Sequence, residues 1–334
     1  MHFIDIFNGD ADGLIARHQY RLANPVPAAQ LQLISGTKRD IALVSRALPM
    51  MLTQEGGEAE VTIFDVSYDQ NEAAVEQLLS QGVQVRYFDH HRASLLKPHP
   101  ALDANIDNAP TVCTSLLVDR HQSVNGRYRR WTIVAAFGDN LIEVATKLGH
   151  AASIAPTEIA QLHAFGEALN YNAYGEAETD LVFRPVDLAK RLEPYADPLE
   201  FMRAETVFAT LKQSMASDLQ HAAVVVPYRT NAAYAIYRFP DAPWARRVSG
   251  VFANRLAESN PTRAHALLTP NAGGNFTVSI RAPIIATQSQ HRADHVAIAF
   301  AGGGGRVGAA GINALPEPEI EQFIRKMEAV FSPS

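Results

Sequence analysis

Four acidic clusters in the first 140 residues, each at or beside the end of an apolar run, constrain this chain more than any other feature. They are Asn8-Gly9-Asp10-Ala11-Asp12-Gly13, then Asp65, then Asp89-His90-His91, then Gly138-Asp139. A parallel α/β sheet brings the carboxyl ends of its strands to one edge, and so can gather all four. Carboxylates packed that closely repel unless cations neutralise them. The pattern therefore points to a divalent-metal site and to metal-assisted phosphate chemistry.

The surrounding sequence supports such a sheet. Phe3–Phe7, Leu31–Ile34, Val61–Phe64 and Val83–Phe88 read as strands. Leu14–Tyr20 has helical character, Asn71–Gln81 is a helix with Ala74, Val75, Leu78 and Leu79 on one face, and Asp40 is placed to cap a helix through Leu48. The expected fold is α/β, a parallel sheet with helices on both faces. From Thr114 the pattern turns helical. Trp131, Val134, Phe137, Leu141, Ala145 and Leu148 recur at three- and four-residue steps, which puts Asp139 on or between helices rather than on a strand.

Phe201–Leu219 reads as one amphipathic helix joining two lobes. Ala222–Pro227, Ala233–Phe239, Ala264–Leu268 and Phe276–Ile280 are strand-like, with helices over Trp244–Ala257 and Glu317–Phe331. The chain is expected to comprise an N-terminal catalytic domain (1–198), a helical linker (199–221) and a smaller α/β domain (222–334) built around the glycine-rich stretch Gly302–Gly311.

At 334 residues there is enough chain for two cores, and 47% hydrophobic against 19% charged residues excludes a disordered protein. The formal charge of -6 gives no overall attraction to nucleic acid and leaves only a local basic groove for such a partner. A single cysteine, Cys113, excludes an intramolecular disulfide and a Cys-rich zinc site, and reads as a small buried apolar residue. No run approaches the roughly 18 consecutive apolar residues that span a membrane. The opening Met1-His2-Phe3-Ile4-Asp5 lacks a signal-peptide pattern, so a cytoplasmic protein without a membrane partner is expected.

Asp10 and Asp12, two apart on an extended segment, share a face, while Gly9 and Gly13 free the backbone for a tight turn. A helix starting at Gly13 would offer amide groups to an anion. Alone, this motif fits a calcium-like loop or a plain turn equally well, and Asp65 alone fits a turn cap. Asp89-His90-His91 is more pointed, because an acid and two imidazoles at the mouth of an apolar strand form a usual ligand set for Mn²⁺ or Zn²⁺. Lys38-Arg39 and Arg246-Arg247 read as solvated pairs, and His291 and His295 as surface residues. Asn170, Tyr171, Asn172 and Tyr174 are left open as residues of a cleft.

Together, in order and spacing, these stretches resemble the motifs of the DHH phosphoesterase superfamily, named for the triplet seen here as Asp89-His90-His91. Gly303-Gly304-Gly305-Arg306-Val307-Gly308-Ala309-Ala310-Gly311 resembles the Gly-Gly-Gly-His-x-x-Ala-Ala-Gly signature of the associated DHHA1-type domain, and Thr277-Val278-Ser279-Ile280-Arg281 resembles the strand before it. The superfamily includes RecJ-type exonucleases, oligoribonucleases, cyclic-dinucleotide phosphodiesterases, exopolyphosphatases and a class of pyrophosphatase. The resemblance implies two Mn²⁺ ions, with Mg²⁺ or Co²⁺ as substitutes: Asp12, Asp65, His90 and Asp139 hold one, Asp10 and Asp65 the other, and the bridged pair activates a water. It implies that His91 acts beside the scissile phosphate, that Asp89 fixes the neighbouring imidazole, and that Arg281, Gly303, Gly304, Gly305 and Arg306 bind substrate.

Two departures matter. Ile6 stands where many members carry a metal-binding His, a residue that RecJ-type exonucleases also lack. Arg306 replaces the signature His, keeping a cation whose planar fork takes two phosphate oxygens but changing base recognition. The implied substrate is a short single-stranded oligonucleotide or a dinucleotide. The alternatives are a hydrolase of polyphosphate or of a 3′,5′-bisphosphate nucleotide, and a non-catalytic nucleotide sensor. Self-association is left open.

Overall fold

Buried aliphatic and aromatic side chains on alternating positions build the first sheet of the computed structural model, which describes residues 2–52, 59–285 and 291–332. In chain order come β1 (His2–Phe7), α1 (Ala11–Ala23), β2 (Leu31–Ser35), α2 (Leu48–Leu52), β3 (Ala59–Phe64), α3 (Tyr68–Ser80), β4 (Gln84–Asp89) and β5 (Leu102–Ile106). The strands pair in the order β2-β1-β3-β4-β5, all parallel. Phe7 pairs with Phe64 and Phe64 with Phe88, so β1, β3 and β4 end side by side and the acidic residues that follow meet at one edge.

Ile4, Ile6, Val61, Ile63, Val85 and Tyr87 face a core shared with α3 and the short turn Val44–Ala47. Phe7, Phe64 and Phe88 face the opposite core, with α1 and the helices α4 (Thr114–Arg120), α5 (Arg129–Gly138), α6 (Ile142–Ala151), α7 (Pro156–Ala173), α8 (Pro185–Leu192) and α9 (Pro198–Ala204). This two-residue alternation is what a strand covered on both faces requires. Asp5, fully buried on β1, accepts hydrogen bonds from Arg17 Nε at 3.0 Å and Arg21 Nη2 at 2.6 Å. Those pairs seat α1 on the sheet without leaving a buried charge unmatched.

The chain divides into two compact units, Met1–Lys212 and Gln213–Ser334, the division falling inside α10 (Val207–Ala223). In the second unit β6 (Arg229–Thr230), β7 (Tyr234–Arg238), α11 (Pro243–Ser259), β8 (Ala264–Pro270), β9 (Asn275–Arg281), α12 (Ala293–Ala297), β10 (Gly303–Gly305), β11 (Ala309–Pro316) and α13 (Ile320–Phe331) follow in order. Their sheet runs β10-β11-β9-β8-β7-β6, antiparallel except for β7 against β8. One face packs α12 and α13 against Ile236, Ala266, Val278 and Ile312. Tyr237, on the other face of β7, meets Phe252 of α11 edge-on.

Several local expectations are corrected. α1 starts at Ala11, not Gly13, because the Asp10 side chain caps it. Asp40 caps no helix; it pairs with Arg46 at 2.5 Å while Val44–Ala47 winds as a 3₁₀ turn. The run Phe201–Leu219 is two helices, α9 and α10, separated near Glu205. Ala222–Pro227 is no strand, since α10 continues to Ala223 and leaves Val224 and Val226 exposed. Edge strand β5 escapes sequence reasoning, because Asp103 and Asn105 hide its pattern. The glycine-rich stretch is a β10–β11 hairpin, not an open loop. Gly305 has φ +144°, and a Cβ there would collide with Ala310, so glycine is needed to close it.

Candidate metal centre

Asp12 lies in the first turn of α1, one residue past Ala11, and its carboxylate is buried. Its Oδ2 accepts the Thr114 N–H at 2.6 Å and its Oδ1 the Ser115 N–H at 2.7 Å, which ties α1 to the start of α4. Asp10, the cap of α1, uses Oδ1 to accept the N–H groups of Asp12 and Gly13 at 3.0 and 3.1 Å. Its Oδ2 is ion-paired with Lys38. The two aspartates therefore do not share one face of an extended segment; a helical turn separates their roles.

Asp65 follows β3 with φ +57°, in the left-handed region that a non-glycine residue rarely occupies. Its Oδ1 accepts from Thr114 Oγ1 at 3.0 Å and stands 3.3 Å from His90 Nε2. His90 Nδ1 donates to the Val112 carbonyl at 3.0 Å, which commits Nε2 to the carboxylates. That nitrogen is also 3.6 Å from Asp139 Oδ2 and 4.0 Å from Asp12 Oδ2. Asp89, fully buried, accepts from the His91 backbone N–H at 3.2 Å and pairs with His91 Nδ1 at 2.6 Å. The His91 ring is held by one edge and is 42% exposed on its side chain.

Asp139 is the residue at which α5 stops, and a break through Asn140 (φ +60°) separates it from α6. Helical periodicity thus runs across two helices, with the carboxylate at their junction. Its approach depends on Gly138, where a Cβ would strike the Ala11 side chain and crowd the Gly166 carbonyl. No larger residue lets α1, α5 and α7 come so close.

Burial dominates the electrostatics. It raises Asp12 well above the usual carboxylate range, with the nearby charges of Asp65 and Asp139 adding to it. It lifts Asp65 to about 6, aided by Asp10 and opposed by His90. For His90 burial pulls downward, but the hydrogen bond and charge of Asp65, with Asp12 and Asp139, push it up to about 11. For His91 burial is likewise outweighed, by Asp89 and Asp65, and the ring rises to about 9. Asp10 goes the other way: burial would raise it, but Lys38 holds it down at about 2. A pocket that drives its own carboxylates to keep protons is short of positive charge.

The donor set fits a divalent ion. Among the described residues two groups bring their ligand atoms within 4.8 Å of one another, Asp12-His90-Asp139 and Asp65-His90-His91. Ligand atoms about 2.1 Å from one ion lie about 3 to 3.5 Å apart, close to the spacings found here.

Lys38 is the residue that sequence reasoning misses. It is no solvated surface cation but sits among Asp10, Asp139 and Asn170. Its position three residues past β2, beside β1 at the same sheet edge, is the available signal. Thr114 and Ser115, which hold Asp12 and Asp65, escape it as well. Arg246 and Arg247 are likewise paired rather than solvated, with Asp241 at 2.6 Å and Asp218 at 2.8 Å. His291 is buried, not on the surface. Tyr171 and Asn172 are buried too, Asn172 bridging to the Phe183 backbone at 2.8 Å and 2.9 Å. Cys113 is buried as expected.

Within the second unit, Arg281 closes β9 and its Nε donates to Asn254 Oδ1 at 2.6 Å. Its register partner on β11 is Ala309, next to the hairpin turn that exposes Arg306. Gly303, Gly304 and Gly305 form the strand leading into that turn.

No protein-family profile matches the sequence. No curated protein matches it either. Solved structures do match the fold. A DHH-domain protein described as a member of a family of ribosomal proteins matches with a TM-score of 0.69 at 15% identity, over 98% of this chain and 86% of its own. Exonuclease RecJ bound to manganese matches with a TM-score of 0.55 at 16% identity, over 98% of this chain and 89% of its own. The pGpG-specific phosphodiesterase PggH of Vibrio cholerae matches with a TM-score of 0.52 at 12% identity, over 99% and 100%. The chain has the DHH-domain fold.

Proposed function

We propose that this protein is a divalent-metal-dependent phosphoesterase that hydrolyses phosphodiester bonds of short single-stranded oligonucleotides or dinucleotides. The observation that carries the proposal is the approach of Asp12, Asp65 and Asp139 to His90 Nε2, at 4.0, 3.3 and 3.6 Å, in a pocket short of positive charge. Those four residues would hold the ion; Mn²⁺ suits mixed carboxylate and imidazole donors, and Mg²⁺ or Co²⁺ are substitutes. When bound, such an ion supplies Lewis acidity toward phosphoryl oxygens and lowers the pKa of water.

The chain's own groups do the rest. His90 turns Nε2 inward because Val112 occupies Nδ1. Asp12 is anchored by two amides and Asp65 by Thr114, so the carboxylates are set before substrate arrives. Asp89 raises the His91 pKa and so favours the protonated ring, which faces solvent on one side, where it would donate to a non-bridging phosphate oxygen. Asp89 orients that imidazole. In the second unit, Arg281, Gly303, Gly304, Gly305 and Arg306 are proposed to bind substrate phosphate, with Arg306 offering a two-pronged fork.

The RecJ and PggH likenesses support nucleic-acid or dinucleotide chemistry at the level of fold. Among the described residues no helix is long and apolar enough to cross a membrane. A cytoplasmic setting belongs to the proposal. The test is a substrate panel with Mn²⁺: linear dinucleotides, cyclic dinucleotides, a 3′,5′-bisphosphate nucleotide and polyphosphate. Cleavage of linear dinucleotides supports the reading, and cleavage of polyphosphate alone overturns it.

A further inference from the structure

The ammonium of Lys38 sits inside the carboxylate cluster. It is ion-paired with Asp10 Oδ2, stands 3.6 Å from Asp139 Oδ1 and donates to Asn170 Oδ1 at 3.1 Å. Tyr174 places its ring 5.8 Å from the same nitrogen. The backbone is equally fixed. Lys38 N–H donates to the Ala173 carbonyl at 2.9 Å, and its own carbonyl accepts from Asn8 Nδ2 at 3.2 Å. Asn8 Oδ1 in turn accepts the Asp10 N–H at 3.1 Å, so one asparagine sets the distance between the lysine loop and the aspartate it neutralises.

Asp10 differs from Asp12, whose two oxygens accept backbone amides, in that its Oδ2 holds an ammonium while Oδ1 accepts two amides. Neither of the two donor groups close enough to share an ion among the described residues includes it. An ion bound at Asp10 would have to displace an ammonium that already neutralises the carboxylate, or lie against it as a like charge. A compact ammonium with three donors suits the place, since Asp10 and Asn170 take two of them in directions fixed by α1 and α7.

We infer that Lys38 is a built-in cation of this centre, occupying the Asp10 side so that a single divalent ion binds at the carboxylates gathered on His90 Nε2. Lys38 is then the second positive group facing the substrate phosphate. The inference rests on the metal-centre reading and changes its stoichiometry from the two ions that the motif resemblance implies.

The test is Mn²⁺ titrated into metal-free protein, followed by calorimetry and by electron paramagnetic resonance. Wild type is expected to take one tight ion with a mononuclear spectrum. Lys38→Met, which keeps the stem and removes the charge, is expected to admit a second ion and show a spin-coupled pair, whereas Lys38→Arg stays at one. Asp10→Asn is expected to change affinity for the first ion by less than about threefold. Two spin-coupled ions in wild type overturn the inference and leave the metal centre standing. One ion in both wild type and Lys38→Met also overturns it, because Lys38 then excludes nothing. If Lys38→Met does not fold, a loss of first-ion affinity beyond about tenfold in Asp10→Asn overturns it. Absence of any bound ion in wild type overturns the metal-centre reading itself.

Discussion

The candidate carboxylates of the first compact unit and Arg306 of the second are held in opposite ways. In Met1–Lys212 four candidate aspartates are fastened: Asp12 by Thr114 and Ser115, Asp65 by Thr114, Asp89 by Tyr68 and His91, Asp10 by Asp12, Gly13 and Lys38. In Gln213–Ser334 Arg306 lies exposed on a turn closed by its own backbone and that of Ala309. A site that stabilises developing charge has to be organised beforehand, whereas a site that selects a substrate tolerates adjustment. Changes in the first unit should therefore alter turnover, and changes in the second should alter substrate binding.

The largest expected effect comes from Asp65→Asn. Asparagine tolerates the left-handed backbone at this position, so the fold persists while the carboxylate is lost. Turnover should fall by about 10³-fold or more, as for loss of a central electrostatic group, with circular dichroism unchanged. His91→Ala should follow, at about 10²-fold in kcat with little change in ion affinity, because it removes a proton donor rather than a ligand. Equal losses from Arg306→Ala would erase the contrast between the units.

The next effect is on pH. His90 holds its proton up to about 11 in the metal-free fold, above its ordinary 6.5. That proton stabilises the fold fully below pH 6.5, and the contribution is lost as pH climbs toward 11. The ion competes for the same Nε2, so apparent Mn²⁺ affinity should rise with pH, about tenfold per unit between pH 6.5 and 9 for one displaced proton. A flat profile by calorimetry would mean that His90 is no ligand. The smallest effect belongs to the second unit: Arg306→Ala should raise KM for a phosphorylated dinucleotide about tenfold and leave kcat nearly unchanged.

Much of this is legible in the residues. The strands β1, β3 and β4 announce themselves by apolar runs, and the acidic residues at their ends follow from parallel topology. Periodicity alone places Asp139 on or between helices; the junction itself, with its break at Asn140, is invisible to it. What stays hidden depends on contacts distant in sequence. Lys38 meets Asp10 across 28 positions, and Thr114 meets Asp12 across 102. A charged pair after a glycine looks solvated until the fold shows which carboxylate it faces. Strand β5 and the end of α10 are lost for a simpler reason: polar residues interrupt the one, and valines after Ala223 imitate a strand in the other.

The central claim is that the Asp12-Asp65-His90-Asp139 cluster drives phosphodiester hydrolysis. The most direct measurement is cleavage of a 5′-phosphorylated dinucleotide by the Mn²⁺-loaded protein, in parallel with Asp65→Asn and with a chelator. The account predicts mononucleotide products from wild type, formed about 10³-fold or more slowly by the variant, and loss with the chelator that added Mn²⁺ reverses. Cleavage at the wild-type rate in Asp65→Asn or under chelation, or a wild type inert toward every phosphodiester offered, would contradict it.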